Sequence, residues 1–309
     1  MRKPDKIRAI FCSDIHLSLN APIWRSAEPD WFAAMKRPLM EISRLSKKYD
    51  CPVICAGDIF DKWNSPPELI NFAINYLPDK MHAIPGQHDL PLHNIKDIKK
   101  SAFWTLVEAG KIIYSKDLIN IADSKLTIYN FPYGQQITPT KNRSEFIQIA
   151  LVHQYVCIEG YDYPNAPDDC YLRMNHKNLI GYDIIVYGDN HKGFKTEVNH
   201  ESTIFNCGSL MRRKSDEIDY KPQIGLLTAD GKIKVHYLDT SKDKHLKIIE
   251  KSDNEAKVSA DLNAFFKELE KLGDTSLDFE EIIKQYLNDG SIRKRIKKII
   301  LKAMEKKDE

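Results

Sequence analysis

Residues 8–16 read RAIFCSDIH, and the interpretation of the whole chain starts from this stretch. The segment Arg8–Ser13 is short and apolar, and it is followed at once by Asp14 and then by His16. A short apolar segment that stops at charged residues is typical of a buried strand that ends in a polar loop. In open α/β sheets, such loops at the carboxyl ends of strands are where sites form.

The same pattern recurs in the first third of the chain. Strand-like segments at 53–56 and 81–84 also end in glycine and polar residues. Between the strands, apolar residues at helical spacing predict an amphipathic helix over about 30–48. A second helix is predicted from Ser65, as its N-cap with Pro66 in the first turn, to Pro78. Alternating strands and helices indicate βαβ units and an α/β fold.

After about residue 110 the chain changes to strands with few helices between them. The predicted strands are Ile112–Tyr114, Leu126–Phe131, Ile147–Val152, Ile184–Tyr187, Thr203–Phe205, Ile224–Leu227 and Ile233–Leu238. Asp230-Gly231 between the last two is typical of a hairpin turn. The predicted fold class is therefore α/β (α+β), with a two-sheet β-sandwich flanked by helices.

A boundary is predicted near residue 240, where strand-like segments give way to charged helical ones. The expected domains are 1–240 and a small helical region, 241–309. An acidic stretch at 261–290 precedes a basic amphipathic helix at 291–307. That helix could bind DNA phosphates or the coiled coil of a partner, or pack its isoleucine stripe on its own domain.

Composition excludes several classes of protein. The chain has 309 residues, with 46 basic and 44 acidic residues and a net charge of +2. This balance excludes a uniformly basic nucleic-acid coat and an acidic disordered chain. No apolar stretch is long enough for a membrane helix or resembles a signal peptide. Six scattered cysteines without a Cys-x-x-Cys pair predict a reducing, cytoplasmic location without disulfides.

Polar side chains follow five of the predicted strands. They are Asp14 and His16, Asp58 and Asp61, Gln87 to Asp89, His153, and Asp189 to His191. Carboxylate, amide and imidazole ligands suit divalent ions such as Mn, Fe or Zn. A carboxylate that bridges two ions roughly 3.5–4 Å apart defines a two-metal hydrolytic site.

This series resembles the calcineurin-like metallophosphoesterase superfamily, with its Asp-x-His, Gly-Asp-x-x-Asp, Gly-Asn-His-Asp/Glu, lone His and Gly-His-x-His motifs. The resemblance extends from about residue 8 to 210. Within the superfamily the chain is most similar to SbcD-type DNA-repair nucleases. Asp89 stands where protein Ser/Thr phosphatases usually have Glu, and Lys62-Trp63 replaces their Arg-Gly. The stretch from Asn206 to Arg212 is similar to the nucleases' Asn-Pro-Gly-Ser-x-x-Arg.

The resemblance implies a role for each motif residue. The metal ligands would be Asp14, His16, Asp58, Gln87, His153, Asp189 and His191, with Asp58 bridging the two ions. His88 would approach the scissile phosphate as a proton donor, and Asp89 would orient its imidazole. The implied activity is hydrolysis of DNA phosphodiester bonds by a two-metal exo- and endonuclease in DNA repair or recombination.

Two departures from the family pattern fall on the second metal. Gln87 replaces Asn, and Asp189 replaces the first His of Gly-His-x-His. Both still offer a donor atom, and their oxygen character favours Mn, with Mg or Fe as alternatives, over Zn. The competing interpretation is a weakened or absent second metal.

Three basic residues near the last motifs are candidates for substrate binding. Lys192 could contact a phosphate or be solvated, and Arg212 and Arg213 could contact DNA or form ion pairs at the rim. The aromatic segment 158–175 could stack on bases or be a packed loop. The resemblance also implies an SbcC-like SMC-type ATPase partner and a homodimer. The alternative functions are hydrolysis of small phosphodiesters or nucleotides, and a non-catalytic scaffold.

Overall fold

The structure, a computed structural model, describes residues 6–246 apart from 80, 142–144, 164–165, 173–175 and 199–201. The described residues belong to a compact unit that ends at Leu246. Residues 241–246 belong to this unit and contain no helix. The predicted helices of the C-terminal region, including the basic helix at 291–307, lie outside the described residues.

Twelve strands and three α-helices make up the regular structure of the described residues. The strands are β1 (Ile7–Cys12), β2 (Val53–Cys55), β3 (Met81–Ala83), β4 (Ile112–Ile113), β5 (Leu118–Ile121), β6 (Leu126–Phe131), β7 (Ile147–His153), β8 (Ile184–Gly188), β9 (Phe194–Val198), β10 (Ser202–Asn206), β11 (Gln223–Thr228) and β12 (Ile233–Tyr237). The helices are α1 (Trp31–Tyr49), α2 (Pro67–Tyr76) and α3 (Ala102–Glu108).

The strands form two six-stranded mixed sheets. The first has the order β12-β11-β1-β2-β3-β4, and the second has the order β5-β6-β7-β8-β10-β9. Strands β1 to β4 are parallel in the first sheet, as are β6, β7, β8 and β10 in the second. The mixed sheets and flanking helices confirm the predicted sandwich.

The side chains of β1 alternate between two faces, because successive residues of a strand point to opposite sides of the sheet. Ala9 and Phe11 pack between the sheets, against Ile149, Val186 and others of the second sheet. Ile10 packs in the layer on the other face, where α1 contributes Met35 to the same core. The sheet is thus buried on both faces, which explains why β1 is apolar throughout.

The helix ends partly differ from the sequence prediction. The Asp30 carboxylate caps α1 by accepting a hydrogen bond from the Ala33 N–H at 2.9 Å. The predicted Ser65 cap of α2 is wrong: the helix begins at Pro67, and the Ser65 hydroxyl donates to the Lys62 carbonyl at 2.8 Å. The hydroxyl is therefore already used by the turn that precedes the helix.

Some short elements had no clear signal in the sequence. Helix α3 has seven residues, too few for a distinct helical periodicity, and strands β5 and β9 also went unpredicted. The hairpin between β11 and β12 is confirmed, with Gly231 at φ +82° and the Thr228 N–H bonded to the Lys232 carbonyl. All six cysteines are free, and among the described residues no helix is long and apolar enough to cross a membrane.

A charged cluster lies where residues 241–246 pack against residues 24–37. We call it the Arg25 cluster, and it consists of Arg25, Glu28, Arg37, Arg212 and Asp243. Arg25 is fully buried and pairs with Glu28 at 2.6 Å and with Asp243 at 3.2 Å. Arg37 shares both carboxylates, at 2.8 and 3.0 Å. Burial raises the pKa of Glu28, but hydrogen bonds from Lys244 N, Arg25 and Arg37 outweigh it, so its pKa is lowered.

Replacing Arg25 with methionine is expected to destabilise the protein by about 3–5 kcal/mol, because it removes the fully buried partner of Glu28 and Asp243 and leaves only the partly exposed Arg37 paired with both. Urea unfolding measures the change. The control is Lys100→Ala, which removes an exposed pair with Asp97 and should cost under about 1 kcal/mol. Equal midpoints for the two variants would show that Arg25 does not hold this corner together.

Candidate metal centre

The carboxyl ends of parallel strands from both sheets meet at one rim. Asp14 and His16 follow β1, Asp58 follows β2, and Gln87 and His88 follow β3. From the second sheet, His153 is the last residue of β7, and Asp189 and His191 follow β8. The structure therefore brings together side chains from residues far apart in sequence, as sites at strand ends require.

Four of the predicted ligands have a left-handed backbone. Asp14, His16, Asp58 and Asp189 have φ values of 50°, 47°, 54° and 85°. This region is uncommon for residues other than glycine, and each such residue costs on the order of 1–3 kcal/mol unless its surroundings hold it. Backbone bonds supply part of this support: the Asp14 N–H donates to the Gly57 carbonyl, and the His16 N–H to the Asp58 carbonyl, both at 3.0 Å. Strain of this kind clusters at functional sites.

A first group of possible ligands consists of Asp14, His16 and His191, whose ligand atoms lie within 4.8 Å of one another. The Nε2 atoms of His16 and His191 are 3.0 Å apart. They lie 3.8 and 4.0 Å from the Asp14 carboxylate oxygen Oδ1. Two imidazoles and a carboxylate that converge in this way suit a divalent ion.

A second group consists of Asp14, Asp58 and His153, again within 4.8 Å. His153 Nε2 lies 2.6 Å from the Gln87 oxygen Oε1, and the Gln87 amide nitrogen donates to Asp189 Oδ1 at 2.8 Å. The Asp189 N–H donates to the Asp14 carboxylate at 3.1 Å. The two departures from the family pattern, Gln87 and Asp189, thus lie beside His153.

Asp58 links the two groups. Its oxygen Oδ2 is buried and accepts no hydrogen bond from the described residues. This atom lies 3.7 Å from His16 Nε2 and 3.4 Å from His153 Nε2. A buried carboxylate oxygen without a donor is costly, and a cation on each side would satisfy it. The position fits a carboxylate shared by two ions.

Two of the three histidines, His153 and His191, hold their remaining ring nitrogen as metal-ligating histidines usually do, whereas His16 Nδ1 has no hydrogen bond within the described residues. His153 Nδ1 donates to the Ala56 carbonyl at 2.5 Å. His191 Nδ1 bonds the Glu217 carboxylate at 3.3 Å. These contacts leave Nε2 of both rings toward the carboxylates, where a bound metal ion would take the place of a proton, so the residues present fit a pair of divalent ions.

The charges of the rim shift the pKa values of its members. Burial raises the pKa of Asp14. Burial also raises the pKa of Asp58, but the charge of His153 outweighs it and leaves this pKa below its ordinary value. For His153, burial lowers the pKa, but Asp58 outweighs it and holds the pKa well above 6.5. For His16, burial and the charge of Arg213 lower the pKa.

Three glycines leave room for these side chains. A Cβ on Gly86 would collide with Asp58 Oδ1 and lie 2.6 Å from His153 Cε1. Gly57 and Gly188 are similarly crowded, the first by His153 Nδ1 and the second by the Ser13 hydroxyl. The strand ends can approach one another this closely only because these positions lack a side chain.

Replacing Gly86 with alanine is expected to weaken Mn²⁺ binding by about 10- to 100-fold, because the new methyl group displaces Asp58. Calorimetric titration measures the affinity. The matched control is Gly134→Ala: Gly134 has φ +81° and open space, so that change costs about 1–2 kcal/mol of stability and leaves the affinity unchanged. If Gly86→Ala bound Mn²⁺ as tightly as the wild type, a methyl group at this position would not displace Asp58.

His88 lies next to the metal-ligand groups. Its ring centroid is 5.0 Å from that of His16. The backbone N–H of His88 donates to Asp58 Oδ1 at 2.9 Å. Its ring nitrogen Nδ1 donates to the Asp61 carbonyl at 2.9 Å. Because a carbonyl can only accept, Nδ1 carries the proton and Nε2 is the atom that can exchange one.

The expected pairing of Asp89 with the His88 imidazole is wrong. The Asp89 carboxylate is fully buried and accepts hydrogen bonds from the N–H groups of Ile59, Phe60 and Gly86 at 3.0–3.2 Å. Burial and the charge of Asp58 raise the pKa of Asp89 to about 7. Asp89 joins the loops after β2 and β3, and the Asp61 carbonyl orients His88 instead.

The three predicted substrate-binding residues have different surroundings. Arg213 Nη1 pairs with Asp61 at 2.8 Å and bonds the His16 carbonyl at 3.4 Å, so this side chain borders the rim. Arg212 belongs to the Arg25 cluster, 3.8 Å from Asp243. Lys192 Nζ bonds the Asp162 carbonyl at 2.7 Å and lies 5.0 Å above the ring of Tyr163.

Glu217 is a site residue that the sequence did not reveal. It is buried, and its Oε1 bonds to His191 Nδ1. Its Oε2 accepts a hydrogen bond from the backbone N–H of Arg213 at 2.6 Å. Burial raises its pKa, but these hydrogen bonds leave the pKa below its ordinary value. Glu217 belongs to no motif, and its neighbours in the sequence are ordinary loop residues.

Comparison with known proteins identifies the class to which this fold and site belong. Residues 7–193 match the model of the family described as calcineurin-like phosphoesterase. The match covers more than half of the chain, and the chain therefore belongs to the calcineurin-like phosphoesterase family. With its candidate metal-ligand residues, this makes it a metal-dependent phosphoesterase.

No curated protein matches the sequence. Among solved structures, the chain is similar to a candidate 5'-nucleotidase from Staphylococcus aureus in complex with alpha-ketoglutarate, at 13% identity and a TM-score of 0.42. That alignment covers 79% of this chain and 54% of the other, so the chain spans about half of that protein. It is also similar to Vps29 from Entamoeba histolytica complexed with zinc, at 17% identity and a TM-score of 0.33, over 75% of this chain and 98% of the other.

Proposed function

We propose that the protein is a two-metal phosphodiesterase that hydrolyses DNA, as SbcD-type exo- and endonucleases do. The observation that carries the hydrolytic chemistry is the position of Asp58. Its free oxygen lies between His16 Nε2 and His153 Nε2, and its other oxygen holds the backbone of His88. The proton-exchanging ring is thereby fixed to the same carboxylate that two ions would share.

When bound, two divalent ions supply positive charge that polarises the phosphoryl oxygens and activates water. Asp14, His16, Asp58 and His191 would hold one ion, and Asp58, Gln87, His153 and Asp189 the other. The Asp61 carbonyl keeps the proton on His88 Nδ1, so a protonated ring has a second proton on Nε2 to give to the leaving oxygen.

Manganese is our proposed metal, with magnesium or iron as alternatives. Near His153 lie the oxygens of Asp58, Gln87 and Asp189. Oxygen donors of this kind favour Mn and Mg over Zn. Metal analysis that found at most one ion per chain at saturating Mn would contradict a two-metal site.

The choice of DNA is supported by Arg213, whose guanidinium borders the rim, and by the likeness of the stretch from Asn206 to Arg212 to that of the nucleases. A guanidinium in this position suits a phosphate oxygen. The same resemblance underlies the proposal of an SbcC-like ATPase partner, a homodimer and a cytoplasmic role in DNA repair or recombination.

The test is to incubate the protein and Mn with labelled duplex DNA, single-stranded DNA and, separately, bis(p-nitrophenyl) phosphate. We expect cleavage of DNA by the wild type and its loss in His88→Ala. Cleavage of only the small ester would reject the nuclease and favour an enzyme for small phosphodiesters or nucleotides. Metal binding without cleavage of any substrate, with or without an added ATPase partner, would reject the enzyme and favour a scaffold.

A further inference from the structure

The Arg25 cluster is largely buried and contains more guanidinium groups than carboxylates. Its three guanidiniums, from Arg25, Arg37 and Arg212, face two carboxylates, from Glu28 and Asp243. Arg25 is 0% exposed, Glu28 is 1% exposed and Asp243 is 9% exposed. Buried charges are usually balanced, so an excess cation at this depth calls for an acceptor.

Several buried nitrogen atoms in and beside the Arg25 cluster have no hydrogen bond within the described residues. They are the Nε atoms of Arg25, Arg37 and Arg212 and the indole Nε1 of Trp24, with both ring nitrogens of His245 also unbonded. The rings of Trp24 and His245 lie 5.4 Å apart, and Trp24 is 8% exposed. Leaving a buried donor unsatisfied destabilises a fold, so the concentration of several such donors in one place is unusual.

One oxygen of each carboxylate of the cluster is already occupied. Glu28 Oε1 accepts from Arg25 Nη2, Arg37 Nη2 and the Lys244 N–H at 2.6–2.8 Å. Asp243 Oδ1 lies 3.2 and 3.0 Å from the same two guanidiniums. The remaining donors bond to neither carboxylate, so we look for their acceptor in another molecule.

We propose that Trp24, Arg25, Arg37, Arg212 and His245 form a phosphate-binding site that is separate from the metal centre. A phosphate group offers three or more acceptor oxygens in a tetrahedral arrangement, which suits donors that arrive from several side chains. A carboxylate has only two oxygens, and guanidiniums match phosphate geometry well. Arg37 and Arg212 are partly exposed, at 25% and 17%, and give a phosphate access from solvent.

The phosphate could be a free anion or part of a nucleic-acid strand. Arg212 and Arg213 are consecutive, yet Arg212 faces this site and Arg213 faces Asp61 at the rim. A strand that has one phosphate at the metal centre could thus place another on the Arg25 cluster, an extension that rests on the proposed nuclease function. The phosphate site itself does not depend on that function.

The first experiment measures the melting temperature of the metal-free full-length protein against inorganic phosphate, acetate and chloride at equal ionic strength. Metal-free protein is used so that phosphate cannot bind to ions at the rim. We expect phosphate alone to raise Tm, and Arg212→Gln and His245→Gln to weaken the response about 10- to 100-fold. These partly exposed positions spare the buried Arg25, whose loss could unfold the protein.

The control is Lys232→Gln, at an 81% exposed lysine, which should respond as the wild type does. Equal responses to phosphate and chloride, or a wild-type response in both Arg212→Gln and His245→Gln, would overturn the site. An equal response to acetate would assign it to a carboxylate, such as an acidic protein segment, and would also overturn the proposal.

A second arm identifies the source of the phosphate. Binding of a short single-stranded thymidine oligonucleotide is measured against salt concentration for wild type and Arg212→Gln. A strand phosphate predicts weaker binding in the variant and a salt slope smaller by about one. Unchanged oligonucleotide binding together with a lost phosphate response would assign the site to free phosphate. The cleavage assay is separate, so either proposal can fail alone.

Discussion

Replacing Asp58 with asparagine is expected to lower kcat/KM for bis(p-nitrophenyl) phosphate by about 1,000-fold in the presence of Mn. The amide keeps the shape of the side chain and can still accept the hydrogen bond from the His88 N–H. It removes the negative charge of the carboxylate whose Oδ2 lies near both His16 Nε2 and His153 Nε2. Elemental analysis should show fewer bound Mn ions per chain.

The matched control is Asp97→Asn. Asp97 is a partly exposed carboxylate that pairs with Lys100 and belongs to no group of candidate metal ligands, so its loss should leave metal content and rate unchanged. Two Mn ions per chain and a rate within about tenfold of wild type in Asp58→Asn would show that the carboxylate is not shared by the ions.

Replacing His88 with alanine should lower kcat by about 100- to 10,000-fold while metal content stays at the wild-type value. The reason for the retained metal is that His88 contacts Asp58 through its backbone N–H, which alanine also has. A proton donor matters most when the leaving group is a poor one. The loss should therefore be larger for a DNA or dinucleotide substrate than for a p-nitrophenyl ester.

His93→Ala serves as the comparison for this second variant, since His93 is nearby in sequence but exposed. It should keep the wild-type rate on both substrates. Equal losses on both substrates in His88→Ala would argue that the ring positions the phosphate and does not give a proton to the leaving oxygen.

The positions of most strands and the polar residues at their ends could be predicted from the sequence, because both depend on local patterns. The apolar residues of the segment Arg8–Ser13 predict a strand, and Asp14 and His16 follow it directly. Parallel strands then place the ends together without further information. Short elements such as α3 and β5 were missed because few residues give no periodicity.

The partners of the site residues could not be predicted, because they depend on how loops approach one another in space. Asp89 was expected to hydrogen-bond the imidazole of His88, its neighbour in sequence. Its carboxylate instead accepts hydrogen bonds from the backbone N–H groups of Ile59 and Phe60. Glu217 reaches His191 from a loop with no motif. Arg212 and Arg213 are adjacent in sequence and point to different places, which no pattern of residue types could reveal.

The joining of two sheets at one rim has a consequence for folding. A chain that has formed only the first sheet presents Asp14, His16 and Asp58 but lacks His153 and His191. Metal ions would therefore bind tightly only to molecules in which both sheets have assembled, and mass action would stabilise that state alone. Because the ligands are separated by long stretches of chain, we expect them to meet late in folding. Metal occupancy would then be a measure of the fraction of the protein that has folded completely.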